Sequence, residues 1–250
     1  MPDNDLENYS SDAISVSKAP WESAQNAFSM HIYLMLAWMA VFFIGKSLVS
    51  EWSDGAGLSK DLPYGAPQIA VMAVLTLMLL LFMKVSKKGS IAQLGLRSDG
   101  LADDLKTTAK WALILALFYV ALGTIAWFAL PHFVNDTEAI FRGFLFKRYD
   151  LGTALAVIVA FPVLEEIWFR GLLYSGIRKD LGRNWALIMS ALIFGFAHGS
   201  ALPLNQLLGG LVFAWAFEQH RGLLAPTLLH MLGNGALFGA GLLLLKLGYV

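Results

Sequence analysis

Residues 151–173 read LGTALAVIVAFPVLEEIWFRGLL, an apolar run interrupted by Glu165, Glu166 and Arg170. A membrane-spanning helix needs about 20 mostly apolar residues, with about 17 as the lower end. Ionisable groups at membrane depth are costly, so where they occur they mark function. The run therefore sets both the fold class and the place to look for chemistry. Glu166 and Arg170 are four apart, with the acid toward the amino terminus, the favourable order for a helical ion pair. Glu165 projects about 100° away from Glu166. Arg170 can thus neutralise Glu166 and leave Glu165 available. Pro162, three residues before Glu165, removes one helical hydrogen bond and bends the axis. Two readings of it stand: a bend that opens a water-accessible pocket beside the acids, or a tolerated kink without chemistry.

The rest of the chain has the same character. It is 57% hydrophobic and 14% charged, where a soluble domain carries about a quarter charged residues. The expected fold is all-α, a polytopic transmembrane bundle of about seven spans. These lie near Ala27–Gly45, Ala66–Met83, Ala109–Leu130, Leu151–Leu173, Ala186–His198, Leu204–Phe217 and Leu223–Leu245. Glu138–Arg148 mixes apolar and basic residues as an interfacial amphipathic helix would. Residues 1–22 are polar and acidic, without the basic start and short apolar core of a cleavable signal peptide. They read as a loosely attached tail on a single membrane domain, 23–250, whose core is about 151–245. Lys84, Lys87, Lys88, Arg97, Lys106, Lys110, Arg178, Lys179, Arg183 and Arg221 fall inside if the amino terminus is cytoplasmic. Arg142, Lys147 and Arg148 run against that orientation. The expected location is the cell membrane.

Zero net charge gives no global reason for a nucleic-acid partner. The absence of cysteine excludes disulfides, thiol catalysis and Cys-ligated metals. No fixed-period repeat is present.

Three more polar residues sit in later apolar runs. His198 closes Phe194-Gly-Phe-Ala-His198, and His230 and Asn234 bracket His230-Met-Leu-Gly-Asn234. Measured along helices from the basic loops, Glu165, His198 and Asn234 lie about 20 Å deep and His230 about 14 Å. Residues four apart share a helix face, so His230 and Asn234 project the same way. Phe194, one turn before His198, is placed to support its ring. Gly195-xxx-Gly199 and Gly235-xxx-Gly239 permit close helix packing. A carboxylate, two imidazoles and an amide at similar depth suggest hydrolysis where water is scarce. Each polar residue alone could be a satisfied group joining helices. Glu166–Arg170 alone could be a structural ion pair. His31, His132 and His220 lie near span ends and are assigned no chemistry, while Glu218 and Arg221 are expected at the cytoplasmic edge.

The ordered set Glu165-Glu166-xxx-Arg170, Phe194-xxx-His198 and His230-xxx-Asn234 resembles the CAAX protease and bacteriocin-processing (Abi) family of intramembrane endopeptidases, which includes type II CAAX prenyl endopeptidases. The resemblance covers about Leu151 to Leu245. It implies that Glu165 and His198 activate water, that His230 and Asn234 stabilise the oxyanion, and that Glu166 and Arg170 support the site. Such a mechanism needs no cofactor. It implies a peptide or membrane-protein substrate, lipidated or not, in contact with membrane lipids. Substrate identity and oligomeric state do not follow from these residues.

A zinc version stays open, with Glu165, His198 and His230 as two imidazoles and one carboxylate around an open water position. The helical motif of two histidines flanking a glutamate is absent. Two functions of other classes compete. A proton-coupled transporter also uses buried ionisable groups, but predicts internal repeats. A non-catalytic membrane scaffold would have no need of the full polar set.

Overall fold

The computed structural model describes residues 66–86, 94–96, 100–129, 150–198 and 203–246, with isolated positions between 37 and 55. Among the described residues the elements are helices, without a strand. They are α1 Ala66–Ser86, α2 Leu101–Ala129, α3 Leu151–Leu181, α4 Arg183–Ala197, α5 Leu204–His220 and α6 Leu224–Lys246. These overlie the second to seventh expected spans. Most of Ala27–Gly45, the tail 1–22 and the amphipathic segment Glu138–Arg148 lie outside the described residues. By length and composition, Ala66–Lys84 and Leu151–Leu181 are able to cross a membrane.

Helix α3 is the centre of the packing. Asp150 caps its start, accepting from Thr153 N at 2.8 Å. Gly182, at φ +84°, ends it and lets α4 begin at once. The expected bend at Pro162 takes a particular form. Leu155–Ala160 and Ile167–Tyr174 are wound as wide π-type turns, flanking the α-helical Phe161–Glu166. Such turns occur singly inside α-helices and concentrate at functional sites. Every residue from Ile167 to Tyr174 is buried.

The other helices close around α3. Helices α1, α4 and α6 pack on it, α5 packs on α4 and α6, and α6 also packs on α2. Trp168 Nε1 donates to Thr76 Oγ1 at 2.8 Å, tying α3 to α1. The α4–α5 contact is close because Gly210 lacks a side chain: a Cβ there would sit 3.1 Å from Ala191 Cα. Gly95, at φ +82°, accepts from Leu223 N at 2.9 Å and leaves space for the Phe217 ring.

The ends of the helices are tied by polar contacts. Glu218 of α5 accepts from Tyr174 OH at 2.6 Å and from Arg178 Nε at 2.9 Å, and Arg183 Nε is 3.9 Å away. That gathers the expected edge residue Glu218 with two of the loop arginines. His220, assigned no chemistry, joins α5 to α2 through Asp104 Oδ1 and Thr107 Oγ1, each at 2.7 Å.

The α3–α6 contact offers a direct test. A Cβ on Gly235 would lie 3.7 Å from Ile158 Cγ2, a position the sulfur of a cysteine at 158 could take, which brings the two positions within reach of a bridge. In this cysteine-free chain, the pair Ile158→Cys and Gly235→Cys is expected to cross-link on mild oxidation. Loss of both free thiols by mass spectrometry would register it; persistent thiols would mean the two helices do not meet there.

Candidate active site

Glu166 stands at the junction between Phe161–Glu166 and the second wide turn, and Arg170 follows inside that turn. Both side chains are 0% exposed. Their ion pair is direct, with Arg170 Nη1 donating to Glu166 Oε1 at 2.9 Å. Arg170 Nη2 donates to Gly210 O at 3.1 Å. Its guanidinium carbon lies 4.6 Å from the centre of the Phe194 ring and 5.3 Å from that of Phe213. A buried charge persists only when it is paired and hydrogen-bonded, and Arg170 has an anion, a carbonyl and two aromatic faces.

The same Glu166 oxygen also holds His230. Its Nδ1 is 2.9 Å from Glu166 Oε1. A carboxylate accepts only, so Nδ1 carries the proton and the neutral ring keeps its lone pair on Nε2. Nε2 faces Glu165 Oε2 at 3.7 Å. The ring plane is set by Phe213, stacked at 4.7 Å and 20°, and by the edge-on Phe194 at 5.6 Å. Glu165 itself is partly exposed, at 17%, while Glu166 is fully covered. The two adjacent acids thus occupy different environments, as their angular separation on the helix requires.

The remaining sequence candidates are placed less centrally. Asn234 Nδ2 donates to Val157 O at 2.7 Å, one turn along α6 from His230. His198 ends α4 and is exposed, with Nδ1 2.8 Å from Phe194 O and its ring 4.8 Å from the Phe194 ring. The carbonyl fixes the proton on Nδ1, so Nε2 of neutral His198 is an acceptor. Among the described residues no hydrogen bond joins His198 to Glu165, Glu166 or His230; the Phe194 ring stands between the two imidazoles. Arg170, Glu166, His230 and Glu165 therefore form one run of contacts in that order, and His198 and Asn234 flank it.

Gathering of zinc ligands is a separate matter. Among the described residues no group of three His, Asp or Glu side chains is placed to hold a metal ion. Glu165 and His230 are close, but His198 is not brought to them. In this arrangement Glu165, His198 and His230 do not together form a three-ligand metal site.

Some contributors carry no sequence signal of their own. Gly210 acts through its carbonyl and Phe213 through its ring face, both on α5, which lacks any of the three motifs. Only the spacing Gly210–Phe213, one helical turn, could have hinted that they face the same way.

Residues 149–236 match the family described as "Type II CAAX prenyl endopeptidase Rce1-like". That stretch contains Glu165, Glu166, Arg170, His198, His230 and Asn234. A protein of Bacillus subtilis (strain 168) named "Putative membrane peptidase YdiL" is 26% identical over 175 residues, spanning 66% of this chain and 67% of its own length. No solved structure matches. The resemblance drawn from the three motifs is thus matched by this family over residues 149–236, and two helices of the chain are long and apolar enough to cross a membrane.

Proposed function

We propose, from the match of residues 149–236 to the family described as "Type II CAAX prenyl endopeptidase Rce1-like", that this chain is a membrane peptidase hydrolysing a peptide bond in or beside the bilayer. On this reading it is a multi-pass protein of the cell membrane with about seven spans. Its partners are a peptide or membrane-protein substrate, with or without a lipid group, and the surrounding lipids. The observation that carries the reading is the pairing of Glu165 with His230 beside a fully buried Glu166–Arg170 pair.

The reaction needs a base, a water and donors for the developing oxyanion. Glu165 is the carboxylate left without a permanent cation, and His198 offers an acceptor nitrogen at Nε2. Glu165 takes a proton from water as its oxygen bonds to the peptide carbonyl carbon, and His198 Nε2 accepts a hydrogen bond from the same water. Asn234 has a second amide hydrogen for the oxyanion beyond the one given to Val157. His230 donates from Nε2 when its ring holds both protons, and Glu166 faces an N–H at Nδ1 in either state. The C–N bond then breaks, and the proton held by Glu165 goes to the leaving amine. Nothing in this sequence of steps requires a cofactor or a covalent enzyme intermediate.

The test uses purified protein in liposomes, a farnesylated CAAX peptide and unmodified hydrophobic leader-type peptides, with products read by mass spectrometry. The wild type is expected to cut at least one class, with the rate unchanged by a chelator. His198→Ala is expected to lower that rate by about 10²-fold or more. Loss of activity on chelation, restored by zinc, would replace the metal-free mechanism. Failure of the wild type to cut any probe, with proton-coupled uptake present instead, would replace the peptidase reading with a transporter.

A further inference from the structure

We propose that Pro162 is a positioning residue for Asn234, acting through the one backbone carbonyl whose helical donor it removes. The wide turn Leu155–Ala160 runs with hydrogen bonds five residues apart. There Phe161 N donates to Ala156 O, five residues back. The next N–H in that register would serve Val157 O, and it belongs to residue 162. Proline has no N–H. A buried carbonyl without a donor is costly, so it takes another partner. The partner here is Asn234 Nδ2, at 2.7 Å from α6. Pro162 is itself buried, and it is held by the turn whose register it sets.

The consequence is specific. Asn234 projects from α6 one turn beyond His230, and its amide would otherwise be free to rotate. Donation to Val157 O uses one amide hydrogen and fixes the direction of the other. Val157 lies two turns before Glu165 on the same helix, so the anchored amide is registered to the helix bearing the acids. Pro162 thus does more than bend α3. It exchanges an intrahelical hydrogen bond for an interhelical one that ends on a site residue. The catalytic part of this inference rests on the peptidase reading; the Pro162–Asn234 link does not.

The variant Pro162→Ala supplies the missing N–H without adding bulk. Alanine is a far better helix former than proline, so a purely structural Pro162 predicts a variant at least as stable and fully active. The positioning role predicts a stable variant in which the new backbone N–H at position 162 competes for Val157 O and Asn234 is released. Nitrogen-edited NMR of the Asn234 side-chain amide in detergent reads this directly, with the signal assigned by its loss in Asn234→Asp. Wild type is expected to show two widely separated amide protons, one shifted by its bond to Val157 O. Pro162→Ala is expected to return them to the ordinary separation of a free primary amide and to lower kcat by about 10²-fold, as a small misplacement of a reacting group does, with KM unchanged. A wild-type pair at the ordinary separation of an unbonded primary amide overturns the proposal without any variant. Unchanged amide signals in Pro162→Ala overturn it too, as does released Asn234 with full kcat. If neither protein cuts peptide while the amide signals move as expected, the peptidase reading fails and the link stands.

Discussion

Glu165→Gln is expected to lower peptide cleavage by about 10²–10⁴-fold, the range attributed to a positioned general base, while the protein remains folded. Glutamine has the shape of glutamate but cannot accept the proton of the attacking water. The fold should survive because Glu165 is the less embedded of the two acids. It is 17% exposed, and its contact with His230 Nε2 is 3.7 Å, longer than a hydrogen bond. No core network depends on its charge. The checks are initial rates on a cut peptide and a melting curve in the same detergent. A melting temperature close to wild type with the rate lost places the defect in chemistry. A rate within a few-fold of wild type would remove Glu165 from the role of base. The transporter and scaffold alternatives both predict no peptide product from either protein.

Arg170→Met has the opposite profile, with its main effect on stability. The substitution leaves Glu166, 0% exposed, without its cation. Breaking a buried pair by removing one partner costs about 3–5 kcal/mol, because an uncompensated charge stays behind. The loss extends further here, since Arg170 also donates to Gly210 O and stands over Phe194 and Phe213. Adding Glu166→Gln to Arg170→Met removes the stranded charge and is expected to recover much of the stability. Activity should not return with it, because His230 Nδ1 also depends on Glu166 Oε1. Denaturant or thermal melts of the two variants measure the first effect, and cleavage rates the second. A double variant no more stable than the single one would show that the charge of Glu166 was not the cause.

How much of this was readable beforehand differs from residue to residue. The ion pair of Glu166 with Arg170 was legible because the helical period fixes which residues share a face. So was the separate environment of Glu165, about a quarter turn away. Similar depth suggested that His230 would meet the acids, and it does, at Nδ1 on Glu166 and Nε2 toward Glu165. The expected partnership of Glu165 and His198 is not formed directly: α4 ends at Ala197, and the Phe194 ring intervenes. Depth alone cannot give the angle at which a residue on a neighbouring helix points. The wide turns in α3 were also hidden. Pro162 announces a lost hydrogen bond, but whether the chain kinks or rewinds depends on what packs against it. The contributions of Gly210 and Val157 come from backbone carbonyls, which every residue has, so no pattern of residue types could single them out.

The most direct measurement of the central claim is single-turnover cleavage in heavy-oxygen water by wild type and Glu165→Gln, both reconstituted in liposomes. The account predicts one heavy oxygen in the new carboxylate from the wild type, with or without chelator, and no product from the variant on that timescale. Folded wild-type protein that leaves every peptide unlabelled, or a Glu165→Gln protein that labels them at the wild-type rate, would contradict it.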